Sequence, residues 1–296
     1  SKAVDNLVND KVAQNSVNPW ASAYGSDYVP GEKYLVSGQR MAFYVPKANF
    51  GDPSNDSTNV YLLDGDALNF ELSLKNKIVA GNAIYSNIVP SVNTLTVSGE
   101  DSFSFNFNGD VSGSAINPSN SKLYTIADSG GVDYVSWGYW QAEYGSAGSE
   151  IIKFGTWIGG VPTAVADMPQ NVVAQYSGKI IGGVLDASQG YTAISMNANN
   201  AVNLTVNFGA AYPISGTINF DVGTSQWRTT INSANTSVTD NTFSAAVVAS
   251  VDGGNAGSMG SINGNFYGPN AKTMAGAFAV DYGSNQARGV FKATKQ

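Results

Sequence analysis

The sequence predicts an all-β protein, and three observations support this. Only 12% of the 296 residues are charged, whereas 33 are glycine, a composition typical of chains with many strands and turns. Apolar and polar side chains alternate through much of the chain, which is the period of a half-buried strand. The second half contains no long apolar stripe with helical spacing. The length allows two domains.

The first 121 residues are predicted to form a strand-rich N-terminal domain. Residues 1–35 look irregular, with one short helix over Lys2–Val12. Alternation is clearest where Phe103, Phe105 and Phe107 point to one face and polar residues to the other. The predicted strand segments here are 35–47, 59–66, 68–85 and 94–115.

The low-charge loop Ile116–Lys122 is the predicted domain boundary, which gives domains at 1–121 and 122–296. Strands then follow at regular intervals with Gly, Asn and Asp between them, as in a meander. They are predicted at 134–144, 150–160, 171–185, 201–211, 213–222, 227–233, 242–251, 258–268, 274–283 and 287–294. Glycine inside several of these strands indicates the sharp bends of a small closed barrel.

Composition excludes several classes of function. The formal net charge is −7 and the basic residues are scattered. Because binding to nucleic acid or to an anionic membrane needs a basic surface, both functions are excluded. The chain has no Cys, which excludes disulfides, thiolate metal sites and Cys nucleophiles. It also has no His, which excludes Ser-His-Asp hydrolases and His-ligated zinc or haem.

The C-terminal strands resemble a known family. "FYGPNAKTMAGAFAV" followed by "ARGVFKATK" is similar to the last strands of the barrel domains of bacterial transferrin-binding protein B. "VSWGYWQAE", "KFGTWIGGVPTAVADMP", "AQYSGKIIGGV" and "NLTVNFGAAYPISGTINF" look like earlier strands of the same domain. The resemblance covers residues 122–296 and includes Met168-Pro169 followed by Tyr176-Ser177-Gly178. Within it, Gly268-Pro269 is the expected turn and Gly276 the expected bend.

The resemblance implies a C-terminal eight-stranded antiparallel β-barrel beside an N-terminal strand-rich domain of the handle type. It is similar to the single-lobed members, such as haemophilins and other haemophores. It implies a monomer that is exposed on, or secreted from, the outer membrane of a Gram-negative bacterium. Its signal peptide is expected to have been removed, and a lipid anchor, if there is one, is not visible in the sequence. The implied partners are a Slam-type translocon, a TonB-dependent receptor, and a host protein or haem-type ligand.

The candidate ligand or partner site is an aromatic cluster in turn-rich sequence, because loops carry recognition and Tyr and Trp serve as interface anchors. Tyr or Met would also have to ligate any bound haem, since His is absent. Ordinary packing of a small domain is the competing interpretation. The candidates are Trp20, Tyr24, Tyr28, Tyr34, Met41 and Tyr44.

Other motifs are interpreted as structural. Trp137, Tyr139 and Trp140 are expected to fill and cover the barrel wall. Two acidic loops, Leu62–Asn69 and Asp128–Asp133, lack the ligand spacing of a calcium-binding EF-hand and are read as turns. No pair of carboxylates is placed as a glycosidase requires.

The sequence therefore predicts a non-enzymatic binding protein that captures a host-derived ligand in a haemophore-like manner. The alternative is a colonisation factor that binds a host protein or glycan and transports no cargo.

Overall fold

A computed structural model of the chain describes residues 162–186, 190–254 and 257–296, together with the strands named below that precede them. The chain divides into two compact units, 1–161 and 162–296. Within the described ranges, no helix is both long and apolar enough to cross a membrane. Both units are built from antiparallel strands, so the all-β prediction is confirmed.

In the first unit, the described strands form three antiparallel sheets. Their bounds are β1 (Lys33–Val36), β2 (Met41–Pro46), β3 (Tyr61–Asp64), β4 (Leu68–Ser73), β5 (Ile88–Ser91), β6 (Thr94–Val97), β7 (Ser102–Phe107), β8 (Ile116–Thr125), β9 (Val135–Tyr144) and β10 (Ile151–Gly160). The strand orders are β1-β4-β7, β3-β2-β10-β9-β8 and β5-β6.

The boundary between the two compact units lies later in the sequence than the predicted boundary. The segment Ile116–Lys122 lies in β8, which pairs with β9. β9 and β10 were expected to begin the barrel, but they belong to the first unit because β10 pairs with β2, Ile151 facing Pro46. The division into domains 1–121 and 122–296 stays a prediction, and the compact units divide after Val161.

The second unit contains the barrel strands and two 3-10 turns. Its elements are a turn at Val165–Asp167, β11 (Val173–Asp186), β12 (Gly190–Ala193), β13 (Ala201–Asn207), β14 (Ile214–Val222), β15 (Ser225–Thr239), β16 (Thr242–Val251), β17 (Met259–Tyr267), a turn at Pro269–Ala271, β18 (Thr273–Tyr282) and β19 (Asn285–Lys295).

These strands close into the predicted eight-stranded antiparallel barrel. β11 and β13 to β19 pair in sequence order, and β19 returns to pair with β11 from Tyr176↔Lys295 to Asp186↔Asn285. The short strand β12 pairs with the last four residues of β11, on the edge that pairs with β13 earlier along β11. Closure removes the unpaired edges that an open sheet of this size would expose.

Alternation along each strand builds the barrel core. In β13, Val202, Leu204 and Val206 are buried, and the residues between them are not. Trp227 in β15 and Phe243 in β16 are likewise buried, and the residues on either side of each are not. Burial of each large apolar side chain contributes about 1.5–3 kcal/mol. The core therefore follows directly from the two-residue period of the sequence.

Glycine is required at one close approach between β17 and β18. Gly264 faces Gly276 across this strand pair. A Cβ on Gly276 would lie 2.1 Å from the carbonyl oxygen of Asn263, and a Cβ on Gly264 would lie 2.1 Å from that of Ala275. Close backbone approach, rather than a bend alone, thus explains Gly276. The expected turn at Gly268-Pro269 is confirmed, with Gly268 at φ 72°.

Candidate functional site

The barrel interior is filled with side chains. Phe220 stacks on Trp227 with 5.6 Å between ring centroids, and Phe266 contacts Phe243 and Phe208 at 5.6 and 5.4 Å. All of these residues belong to one buried apolar cluster. A barrel packed in this way has a solid core, as small eight-stranded barrels commonly do. Candidate binding surfaces in this unit are therefore its ends and its outer face.

One end of the barrel, here called the loop end, carries the connecting residues 194–200, 223–224, 252–254, 257–258 and 283–284. The segment 194–200 bridges β11 and β14 at this end. Ser195 N donates to the carbonyl oxygen of Asp221 at 2.9 Å, and Ile194 N donates to that of Gly182 at 2.9 Å. Two backbone hydrogen bonds thus fasten the segment to two different strands.

Asn200 anchors the same segment from inside. Its side chain is fully buried, where it accepts from Ile180 N at 2.9 Å and donates to the carbonyl oxygen of Ile180 at 2.7 Å. Lys179 Nζ donates to the Asn200 carbonyl oxygen at 2.7 Å. A buried amide with its polar atoms satisfied in this way holds a loop in one conformation.

The carboxylate of Asp221 lies beneath this segment. Asn199 Nδ2 and Asn197 Nδ2 both donate to Asp221 Oδ2, at 2.7 and 3.0 Å. These hydrogen bonds, the one from Asn199 above all, lower the pKa of Asp221, with the nearby Arg228 guanidinium adding to the effect and burial opposing it. Asp221 is therefore a buried, ionised carboxylate held by amide donors.

Arg228 is only loosely attached to that carboxylate. Its Nη1 lies 3.5 Å from Asp221 Oδ1, an oxygen that accepts no hydrogen bond within the described chain. Nη1 donates instead to the Trp227 carbonyl oxygen at 2.9 Å. The Arg228 side chain is 39% exposed and lines an open cleft of about 400 Å³ on the outer face of the barrel.

The barrel contains a second hairpin with the same sequence pattern. Asp, Gly, Gln and Arg recur at positions i, i+2, i+5 and i+7 in "DVGTSQWR", which begins at Asp221, and in "DYGSNQAR", which begins at Asp281. Gly223 and Gly283 begin the two turns at φ 56° and 58°, as two-residue hairpin turns require. In the second hairpin, Arg288 Nη1 donates to Asp281 Oδ1 at 2.7 Å.

The opposite end of the barrel is closed by the segment that enters it and by the turn at Pro269–Ala271. Thr163 Oγ1 donates to the Gly268 carbonyl oxygen at 2.6 Å, and Asn241 Nδ2 donates to that of Thr163 at 2.8 Å. Asn270 N donates to Asp167 Oδ2 at 2.6 Å. Tyr212, in the connection between β13 and β14, stays 64% exposed here.

Only part of the predicted aromatic site falls within the described residues. Tyr34 lies on β1 of the three-stranded sheet, whereas Met41 and Tyr44 lie on β2 of the five-stranded sheet. Trp20, Tyr24 and Tyr28 lie outside the described residues. The described strands therefore place Tyr34 in a different sheet from Met41 and Tyr44, and the site as a whole stays a prediction.

The remaining motifs that the sequence singled out lie in strands wherever the structure describes them. Trp137 is buried, but it lies in β9 with Tyr139 and Trp140, outside the barrel wall. The segment 62–69 contributes residues to β3 and β4, and 128–133 lies outside the described residues. Among described residues, no three His, Cys, Asp or Glu side chains come close enough to bind a metal together.

Sequence reasoning missed the Asp221 and Arg228 site. Its asparagines look like ordinary turn residues, and charged residues on a strand look like a solvated face. The readable signal was the repeated Asp-x-Gly-x-x-Gln-x-Arg spacing, which puts a carboxylate and a guanidinium on neighbouring strands of one hairpin.

Residues 168–295 match the family profile described as the C-lobe and N-lobe beta barrels of Tf-binding protein B. The matched range begins just before β11 and ends with β19, so it coincides with the barrel. No curated protein sequence matches the chain.

Several solved structures are similar to the chain at low identity. Isotype 1 transferrin-binding protein B from serogroup B Neisseria meningitidis is 20% identical with a TM-score of 0.42, covering 78% of this chain and 49% of that one. A double mutant of transferrin-binding protein B from Haemophilus parasuis Hp5 is 13% identical with a TM-score of 0.39, covering 90% and 76%. A protein described as a surface lipoprotein is 15% identical with a TM-score of 0.37, covering 90% and 100%.

The chain thus spans about half the length of the Neisseria protein. These similarities are too distant to carry weight by themselves, and the assignment of the barrel rests on its strand pairing and on the family match.

Proposed function

Residues 168–295 form a barrel of the transferrin-binding protein B family, and from this premise we propose that the protein captures a host-derived ligand for iron acquisition. It acts by binding and carries out no catalysis. The ligand is held by the N-terminal unit, where the aromatic cluster lies, and by the loops of the barrel. The name of the matched family refers to transferrin binding, which supports a host protein as the ligand.

The observation that carries this proposal is the filled barrel. Phe220, Trp227, Phe266 and their neighbours occupy the interior, so the barrel cannot enclose a ligand in the way that a lipocalin does. A family barrel with a solid core serves as a scaffold that presents loops and an adjoining unit. Recognition of a large ligand at exposed surfaces suits such a scaffold better than enclosure of a small one.

Haem is the second candidate cargo, as in haemophore-like relatives. With no His in the chain, a Tyr or Met side chain would have to ligate the iron. Tyr176 and Tyr267 are buried in the barrel, whereas Tyr212, Met196 and Met259 are exposed. For a haem site we propose the tyrosines and Met41 of the N-terminal cluster, the same residues that we assign to partner binding.

We place the protein at the outer-membrane surface of a Gram-negative bacterium, or secreted from it, as a monomer. The match of the barrel to this family supports this location. In this proposal a Slam-type translocon delivers the protein, and a TonB-dependent receptor receives its cargo. The alternative from a different class is a colonisation factor that binds a host protein or glycan and passes on no cargo.

The test immobilises the whole protein and exposes it to iron-loaded transferrin, iron-free transferrin and haemin in separate experiments. We expect saturable binding of an iron source, seen either as retained transferrin or as a shifted Soret band. Failure of all three ligands to bind at micromolar protein would overturn the role in iron acquisition. Capture of another host protein that carries neither iron nor haem would favour the colonisation factor.

A further inference from the structure

We propose that the cleft beside Arg228 binds the carboxylate of an acidic, extended segment of a partner protein. The cleft, of about 400 Å³, lies on the outer face of β15 and β16 near the loop end. This inference goes beyond the proposed function, because it does not depend on the identity of the host ligand. Its probe is a synthetic peptide, so its outcome is separate from that of the transferrin and haemin experiments.

The first support is the state of the Arg228 guanidinium. All of the polar contacts that the Arg228 side chain makes with described residues go through Nη1. They are with the carbonyl oxygens of Trp227 and Phe220 and with Asp221 Oδ1. Within the described residues, Nε and Nη2 have no partner. A guanidinium presents its donors as a planar fork that fits the two oxygens of a carboxylate. The unused side of this fork, on a side chain 39% exposed, is a ready site for such a group.

The equivalent arginine on the other hairpin provides an internal comparison. Arg288 lies 2.7 Å from its own aspartate and is only 4% exposed. At Arg228 the aspartate is instead drawn toward Asn197 and Asn199, and the ion-pair distance lengthens to 3.5 Å. The side-chain amides of Asn197 and Asn199 thus bind the carboxylate that would otherwise pair closely with Arg228. The same sequence pattern therefore pairs its arginine closely with the aspartate in one hairpin and leaves the arginine open in the other.

The second support is the lining of the cleft. Arg228 faces Ser250 across the strand pair, and Thr230 faces Val248, so these four side chains share the outer face. Val248 is 48% exposed and supplies an apolar rim. Hydroxyl groups beside a guanidinium add donors for an anion, and the apolar rim fits the aliphatic part of an acidic side chain.

The third support is the end of a strand ladder. β16 and β17 pair only as far as Val247↔Gly260. Beyond that pair, Ser258 Oγ accepts from Ala249 N at 2.6 Å, in place of a strand carbonyl. The cleft therefore lies where two strands separate, and an extended segment can lie along this opening.

The charges favour a carboxylate over a phosphate. Among the described residues that line the cleft, Arg228 is the only cationic one, and the protein as a whole has a net charge of −7. A dianionic phosphate needs more than one positive group to offset its charge in such a field. A singly charged carboxylate with an aliphatic stem is the better match.

The experiment measures binding of a labelled peptide of alternating Glu and Val residues to the whole protein by fluorescence anisotropy. We expect saturable binding that weakens with added salt and is lost when every Glu of the peptide is replaced by Gln. Arg228→Gln should weaken binding on the order of tenfold, as expected for loss of a charge-assisted bidentate contact. Lys272→Gln is the matched control, since it removes one positive charge at the opposite end of the barrel, beside the turn at Pro269–Ala271, and it should leave binding unchanged.

A second variant keeps the test independent of any folding defect at Arg228. Ser250→Glu places a carboxylate opposite Arg228 on the neighbouring strand, where it should occupy the fork, raise the Tm and block the peptide. The proposal is overturned if the Glu and Gln peptides bind equally, if neither binds, or if Arg228→Gln and Ser250→Glu leave binding unchanged. It is also overturned if a phosphoserine version of the peptide binds more tightly than the glutamate version.

Discussion

Arg228 and Arg288 occupy the same position in two hairpins on opposite sides of the barrel, yet their burial is reversed. At the first hairpin the aspartate is covered, 11% exposed, and the arginine is open at 39%. At the second the arginine is covered, 4% exposed, and the aspartate is open at 50%. One sequence pattern therefore has two energetic roles, and these can be separated by substitution.

We expect Arg288→Gln to destabilise the protein more than Arg228→Gln. The buried Arg288 makes a close charged hydrogen bond, whose loss costs about 1.5–3 kcal/mol, whereas the exposed and distant pair at Arg228 contributes about 0–1 kcal/mol. Chemical denaturation of the two variants measures the difference in the free energy of unfolding. Equal losses would contradict the assignment of different roles to the two hairpins.

The pH dependence of the loop end follows from Asp221. Because its pKa is lowered in the folded state, the stabilisation is present above the pKa of the unfolded chain and is lost as the pH falls through the folded-state value. We expect hydrogen exchange at the backbone amides of Ile194 and Ser195 to lose protection in acid, with Asp221→Asn removing that dependence. Asp240→Asn, in an exposed turn at the other end, is the control. An unchanged acid profile in Asp221→Asn would show that another group is responsible.

Gly276→Ala should be strongly destabilising. The added Cβ would lie 2.1 Å from the carbonyl oxygen of Asn263 and 2.9 Å from the Phe243 ring, so the strands must separate. Overpacking of this kind costs about 1–3 kcal/mol or more. Thermal unfolding measures the loss, and Ser261→Ala on the exposed face of β17 should stay within about 0.5 kcal/mol of the parent. A parent-like Tm for Gly276→Ala would contradict the close approach.

Tyr176→Phe should weaken the end of the barrel opposite the loop end. Tyr176 Oη donates to the Ala271 carbonyl oxygen at 2.7 Å, and loss of this buried hydrogen bond costs about 1–3 kcal/mol. Burial also raises the pKa of Tyr176, so its stabilisation is present below the pKa of an unfolded tyrosine and is lost as the pH rises above it.

Denaturation at neutral and alkaline pH tests both effects of Tyr176. The parent should lose stability above about pH 10, and Tyr176→Phe should lose less. Tyr212→Phe, at an exposed position, is the control and should change little. If Tyr176→Phe retained the full alkaline loss, the buried phenol would not be its source.

The N-terminal aromatic cluster remains the predicted recognition site. Replacing Trp20, Tyr24 and Tyr28 by Ala should weaken capture of the host ligand at least tenfold if they anchor it, because aromatic anchors dominate interface energies. Tyr212→Ala on the barrel is the matched control for loss of an exposed aromatic. Full retention of binding by the triple variant, with loss in Tyr212→Ala, would move the site to the barrel.

The alternation of apolar and polar residues predicted where the strands lie, but it did not predict which strands pair with each other. The alternation in β13 to β19 predicted each strand, because one face of every barrel strand meets a common core. The same alternation in β9 and β10 could not indicate that β10 pairs with β2, since a half-buried strand has the same period in any sheet. Asn197 and Asn199 were equally hidden, because their role depends on a carboxylate from a distant strand.

The seam between β11 and β19 has a consequence for biogenesis. The first and last strands of the ring complete each other, so a ribosome or translocation pore that releases the chain from its N-terminus leaves the sheet open until Asn285–Lys295 emerges. Until then, the 14-residue β11 presents a bare edge that can pair with another chain. A protease that removes the final strand would therefore convert a closed barrel into an open sheet with an edge prone to aggregation.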